Sequence, residues 1–252
     1  SIGNTTKATT KGFAIASAVV AAVSLFESYL TDGKLTGINV ASPTVFVGFL
    51  IGGAIPFLFS SLTIKAVSDS CYAVIKEVRR QFKEMPGIMK GTQKPDYARV
   101  VDLTTKAALS ALASPAIVAI TVPILVGFIL KAEALGGYLA GTILTGQLLA
   151  VFMSNTGGAW DNAKKMIEEG IMGGKGSDAH KATIVGDTVG DPLKDTAGPS
   201  INPLIKVMNL VALLIVPLIV STKVFGPVHY AGLTALAGIL IFALYRAQKA
   251  VA

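Results

Sequence analysis

Apolar residues in this chain fall into long, nearly unbroken blocks separated by polar stretches, with none of the every-second-residue alternation of a half-buried strand. Five blocks, 12–30, 44–64, 107–130, 138–153 and 201–220, are 16 to 24 residues long, and about 20 apolar residues cross a hydrocarbon core of ~30 Å. Backbone polar groups find no water in that core, so each block must close its hydrogen bonds internally as a helix. The pattern predicts an all-α, polytopic membrane helix bundle forming one integral-membrane domain over 1–252. A sixth block, 230–245, is short for a span. It is read either as another crossing or as a helix against the outer face, giving five or six transmembrane helices. The first block is rich in Ala and Ser, and the second holds Gly48, Gly52, Gly53 and Pro56, which suits close helix packing and a kink.

Composition agrees with the pattern. Charged residues make up 15% of the chain, where a soluble domain carries about 25%, and mean hydropathy is +0.63. A net charge of +7 would suggest nucleic acid in a soluble chain. In a membrane chain it reports orientation, and no nucleic-acid partner is expected. The segment 65–106 carries nine Lys/Arg and 155–199 carries five, against one each for the opposing turns (Lys34, Lys131 and Lys223). The basic segments are therefore expected on the cytoplasmic side. Cys71 is the sole cysteine, which excludes an internal disulfide, and His180 and His229 belong to no nucleophile triad or zinc spacing. The chain starts at Ser1 with no signal peptide before its first block, and is expected to be the back part of a longer one.

Two polar clusters sit at the ends of apolar blocks. In Gly186-Asp187-Thr188-Val189-Gly190-Asp191-Pro192-Leu193-Lys194-Asp195-Thr196-Ala197-Gly198-Pro199 the aspartates are spaced i, i+4, i+8. On a regular helix they would line one face about 6 Å apart. Like charges so placed repel, and they gain a purpose when divalent cations lie between them and an anionic substrate. Magnesium takes oxygen ligands and bridges one or two carboxylates to a phosphate, and Lys194 adds a point charge for phosphate. An N-cap at Asp191 with Pro192 at the first helical position explains those two residues but not Asp187, Asp195 or Lys194. The second cluster is Gly157-Gly158-Ala159-Trp160-Asp161-Asn162-Ala163-Lys164-Lys165, where Lys164 and Lys165 can turn toward Asp161.

Together with Gly3-Asn4-Thr5-Thr6, these motifs resemble the C-terminal part of the membrane-integral pyrophosphatases, ion pumps driven by pyrophosphate hydrolysis, over residues 1 to about 220. The resemblance implies a magnesium-binding set of Asn4, Asp161, Asp191 and Asp195, with Asp187 in a metal or supporting role. It implies substrate-binding lysines Lys164, Lys165 and Lys194, and it makes Asp195 one of the pair that holds the attacking water. The partner aspartate and the family's earlier acidic motifs are missing from this sequence, so the rest of the same chain must supply them and the fragment alone should be inactive. A homodimer is implied by the same analogy.

Lys206 interrupts the fifth block, where a charge is costly and usually functional. Snorkelling to the interface is the plainer explanation; the resemblance makes it the ion gate below the hydrolytic site. By the same resemblance, Lys7 and Thr10 mark the potassium-independent, proton-pumping type, since a fixed ammonium can replace a monovalent cation beside the phosphates. A sodium-pumping pyrophosphatase is the alternative. A secondary transporter for an anionic solute fits less well, because it would keep its polar site near the midplane. The resemblance also leads to the expectation that the chain ends soon after 220, which makes 230–245 an addition.

Overall fold

The apolar blocks form helices, and polar residues extend several of them well past the apolar part. The computed structural model describes residues 2–222 and 226–249, with the side chains at positions 4, 7 and 8 left out. The elements are α1 (Ile2–Asp32), α2 (Pro43–Glu84), α3 (Tyr97–Glu168), a 3-10 turn (Ile171–Gly173), α4 (Asp178–Asp191), a π-helical segment (Pro192–Ala197), α5 (Gly198–Ser221) and α6 (Pro227–Lys249). No strand occurs among the described residues. Five helices are long and apolar enough to cross a membrane, with α4, the π segment and α5 forming one continuous rod of 44 residues.

Helix α3 has 72 residues but is not straight. Lys131 adopts a non-helical conformation, φ 77° and ψ 175°. A Cβ built on Gly127 would lie 2.9 Å from the Leu135 side chain, although eight residues of straight helix span ~12 Å. The chain thus doubles back at Lys131, giving a first arm, 97–130, and a second arm, 132–168. The sequence pattern predicts a turn over 131–137. The structure confines the reversal to one residue, because Ala132, Ala134, Leu135 and Tyr138 are already buried in helical register.

The second arm runs beside α2 with backbones in contact. A Cβ on Gly52 would fall 1.9 Å from the Tyr138 carbonyl oxygen, and one on Gly141 would fall 2.2 Å from that of Phe49. With no hydrophobic drive between helices in lipid, such close dispersion packing holds the pair. Thr142 adds an interhelical hydrogen bond to the Gly52 carbonyl, 3.1 Å. Tyr29, Leu135, Tyr138, Leu204, Met208 and Val216 share the main core, and Ile15, Ala150, Ile201 and Ile205 form a second core nearer the polar end. Asn202 ties α5 to α1 through the Ala14 carbonyl, 2.9 Å.

The basic segment 65–106 is mostly helical. Helix α2 continues to Glu84 and α3 restarts at Tyr97. Gln81 clasps the intervening loop by pairing both main-chain groups of Asp96: it accepts from the N–H at 2.9 Å and donates to the carbonyl at 3.1 Å. Asp96 in turn caps α3 at the Arg99 N–H. Glu77, beyond the apolar block and buried, accepts from Arg80 and Gln81. Helix α6 runs along the first arm of α3. Ser114 donates to the Ala243 carbonyl at 3.0 Å, and Arg246 donates to Ser110 at 3.2 Å. Its C-terminal end therefore lies beside the basic N-terminal end of α3.

Replacing Gly52 with Leu should force α2 off the second arm and cost about 1–3 kcal/mol. The full-length protein in detergent should melt lower, while Gly53→Ala, whose Cβ would meet only the Thr145 methyl at 3.4 Å, should melt near the parent. The Arg80 hydrogen bond, aided by that of Gln81, holds the Glu77 carboxyl down to about 2. Its stabilisation is complete above the unfolded value of about 4.3 and fades as pH falls below that toward 2. Pepsin should begin to nick loop 85–96 over that window, and Glu77→Gln should be nicked already at the window's upper edge.

Candidate active site

The site is built where the second arm of α3 meets the α4–α5 rod, beyond their apolar spans. Two glycines allow the approach. A Cβ on Gly157 would lie 2.4 Å from the Gly190 carbonyl oxygen, and Trp160 packs over Gly186 and Gly190. That contact puts Asp161, one turn past Gly157, against the aspartates of α4.

Within the rod, Pro192 has no N–H to give and crowds the preceding turn. The helix widens to π form over Pro192–Ala197, with the Gly198 N–H bonding to the Leu193 carbonyl five residues back. π-helical turns inside α-helices are frequently found at functional sites. In this register the Lys194 carbonyl would pair with residue 199, a proline without an N–H. Lys11 of α1 fills the gap: its ammonium donates to the Lys194 carbonyl and, at 2.7 Å, to Asp195 Oδ1. The wide turn also breaks the straight row of carboxylates expected from the i, i+4, i+8 spacing. Asp187 and Asp191 remain beside Asp161, and Asp195 turns toward α1.

Lys194 lies at the centre, its side chain only 6% exposed. Its ammonium contacts Asp161 at 3.3 Å, Asp195 at 3.4 Å, Asp187 at 3.8 Å, and Asp191 in a short direct hydrogen bond. Lys164 pairs with Asp187 at 2.7 Å and Lys165 with Asp161 at 3.2 Å. Burial pushes the Lys194 ammonium down, but the Asp191 hydrogen bond and the charges around it outweigh this and hold it well above the ordinary lysine value. Burial likewise pushes Asp161 up, and the hydrogen bonds from Lys165 and Lys194 bring it below the usual carboxylate range. Lys194 and Asp161 are thus both charged at neutral pH.

One carboxylate oxygen from each of Asp161, Asp187 and Asp191 lies within 4.8 Å of the others. Asp187 Oδ1 is buried and, among the described residues, accepts no hydrogen bond, its nearest cation being Lys194 at 3.8 Å. A hard divalent cation fits such a set: oxygen donors, closely spaced, one of them with spare acceptor capacity.

Residues 1–215 match the family described as inorganic H+ pyrophosphatase. The chain belongs to that family. A relative from Chloroflexus aurantiacus, a "K(+)-insensitive pyrophosphate-energized proton pump", is 55% identical over 98% of this chain and 34% of its own length. A relative of the same name from Methanosarcina mazei is 55% identical over 88% of this chain and 33% of its own. One from Clostridium tetani, provisionally named a K(+)-stimulated pyrophosphate-energized sodium pump, is 53% identical over 88% of this chain and 33% of its own. The chain thus spans about a third of the length of the relatives it matches.

Of the residues singled out by sequence, Asp161, Lys164, Lys165, Asp187, Asp191, Lys194 and Asp195 come together in this family member. Lys206 lies exposed on α5, outside the cluster. Thr10 is exposed and donates to the Thr6 carbonyl within α1. The side chains of Asn4 and Lys7 lie outside the described residues. Lys11 was missed by sequence reasoning; its signal is the pair Pro192 and Pro199, which leaves a carbonyl between them needing a donor.

Lys11→Met should strand the Lys194 carbonyl and loosen Asp195, at a cost of about 1–3 kcal/mol. Thermal unfolding of the full-length protein should show this loss, and Lys11→Arg should recover part of it.

Proposed function

We propose that the chain is the C-terminal third of a pyrophosphate-energised proton pump, with magnesium-dependent hydrolysis at its carboxylate–lysine cluster coupled to transport across the membrane. The observation that carries this is the Asp161, Asp187 and Asp191 trio, with an Asp187 oxygen that accepts no hydrogen bond among the described residues, set beside Lys164 and Lys194 in a member of this family. Asp161, Asp187 and Asp191, with Asn4, would hold magnesium, which when bound supplies charge neutralisation for the phosphates.

The chain's own residues do the rest. Lys164, Lys165 and Lys194 bind phosphoryl oxygens, exchanging carboxylate partners for phosphate, which costs little because both are anionic oxygen acceptors. Asp195 orients the attacking water and accepts its proton, with the partner aspartate contributed by the remaining two thirds of the chain. Lys11 fixes the orientation of the Asp195 carboxylate through their direct ion pair. Lys206, further along α5, is the gate on the ion path, facing helices that the rest of the chain supplies. By the positive-inside rule the site faces the cytoplasm. The assembly is a homodimer by family analogy.

Lys7 favours protons and independence from potassium, in keeping with the names of the Chloroflexus and Methanosarcina relatives. The Clostridium relative keeps a sodium pump as the second reading. A secondary carrier is disfavoured because the charged cluster lies beyond the apolar spans rather than midway along them.

The deciding experiment is phosphate release from pyrophosphate, with magnesium, in membranes carrying the full-length protein. Asp195→Asn should lower turnover by on the order of 10²-fold, the scale of a lost general base, with the fold intact by thermal melting. Near-normal turnover at saturating magnesium would remove Asp195 from the chemistry. Activity should be flat across added potassium, and Lys7→Ala should make it rise with potassium. A wild type silent until potassium is added would overturn the Lys7 assignment.

A further inference from the structure

A cavity with charged groups at its rim lies between α2, the first arm of α3 and α6. It holds about 220 Å3 and is lined by Lys65, Asp69, Ser110, Ser114 and Arg246 over an apolar floor that includes Leu62. Its depth is set by three helices at once. Position 65 follows the end of the 44–64 block, position 107 begins the next block, and Arg246 follows the end of 230–245. All three meet where hydrocarbon gives way to headgroups, on the side of the basic segments. Tyr245 and Lys249 stand beside it, the Lys249 ammonium 4.9 Å from the centre of the Tyr245 ring, a pairing suited to that interface.

The cations of the cavity are loosely satisfied. Lys65 reaches Asp69 only at 3.4 Å, where a charge-assisted bond is about 2.7–2.9 Å. Arg246 donates to a neutral hydroxyl, that of Ser110, at 3.2 Å. Helix α6 itself is lightly held, with Ala243 its one buried residue among those described, while Ile239, Ile241 and Phe242 are exposed. Arg246 lies beyond the match to the pyrophosphatase family, whereas Lys65, Asp69, Ser110 and Ser114 lie within it.

We propose that this cavity is a binding site for the phosphodiester headgroup of an anionic phospholipid, with Lys65 and Arg246 on the phosphate and acyl chains against the apolar faces of α3 and α6. Basic recesses between membrane helices on the side of the basic loops have this chemistry. A soluble phosphate would gain from the cations but not from the apolar floor. The lipid would clamp α6 to α3 across a gap that protein contacts bridge at few points.

The test uses the full-length protein in detergent, titrated with phosphatidylglycerol or phosphatidylcholine carrying a photo-crosslinker and read by mass spectrometry of the cross-linked peptides. Phosphatidylglycerol should label peptides of α3 and α6 in preference to phosphatidylcholine. Lys65→Gln and Arg246→Gln should each raise its half-saturating concentration by about fivefold, and together by about 25-fold. Asp69→Asn, which removes the competing carboxylate, should tighten binding, and it guards against loss of binding through misfolding. Millimolar inorganic phosphate should not displace the lipid. Equal labelling by both lipids, unchanged affinity in the double variant, or displacement by inorganic phosphate would each overturn the proposal. So would cross-links showing that another part of the chain fills the cavity.

Discussion

The buried ammonium of Lys194 holds four carboxylates, one from α3 and three from the α4–α5 rod, within reach of one another. Removing that charge from water costs several kcal/mol, and only multiple anionic partners at close range offset it. The carboxylates alone would repel one another, and the lysine alone would not stay buried. Each half of the cluster therefore requires the other, and the backbone has to deliver both to one point. Two devices do so: the Gly157–Gly190 contact, which lets the helices touch, and the π segment, which turns Lys194 inward and Asp195 toward Lys11. Such a cluster has large electrostatic leverage, because a ligand that offers new partners to Lys194 or to Asp187 changes the balance for all of them.

The apolar and polar parts of the molecule follow different physics along the same helices. In the spans, helices associate through glycine-mediated backbone contact and a few interhelical hydrogen bonds, such as Thr142 to the Gly52 carbonyl. Past the spans, ion pairs and side-chain clasps take over, as at Glu77, Gln81 and Asp96. The α4–α5 rod is continuous between the two regimes. A shift at the carboxylates has a rigid path toward Lys206, which sits on the same rod among apolar neighbours. In the proposed pump, this unbroken helix would join the site of hydrolysis to the ion gate.

Helix α6 stands apart from this scheme. Its hydrogen bonds with the first arm of α3 come from Ser114 and go to Ser110, and it packs through the buried Ala243 and through Leu240 and Leu244 against the main core. Ile239, Ile241 and Phe242 stay exposed, so the cationic recess at its C-terminal end bears on how it sits.

Much of this was legible in the amino-acid order. Block length and hydropathy determined an all-helical membrane chain, since hydrocarbon tolerates no other way of satisfying these backbones. The Asp–Lys motifs, read with the family resemblance, named seven residues that the fold unites, because carboxylates and lysines at helical spacing share a face at the ends of their spans. Three features waited for the tertiary structure. The break between two apolar blocks predicts a turn over 131–137, but its confinement to Lys131 carries almost no local signal, since neither glycine nor proline marks that residue, and packing of both arms decides it. The π register cannot be inferred from even spacing. It follows from Pro192 and Pro199 acting together with the inward pull of the carboxylates on Lys194. Lys11, 184 residues from Asp195 along the chain, meets it only because α1 packs beside α5. Sequence by itself determined which chemical groups were present and which medium the helices cross, for these depend on composition and local spacing. Which groups touch was decided by helix-to-helix contact, a long-range property that close packing sets and periodicity does not.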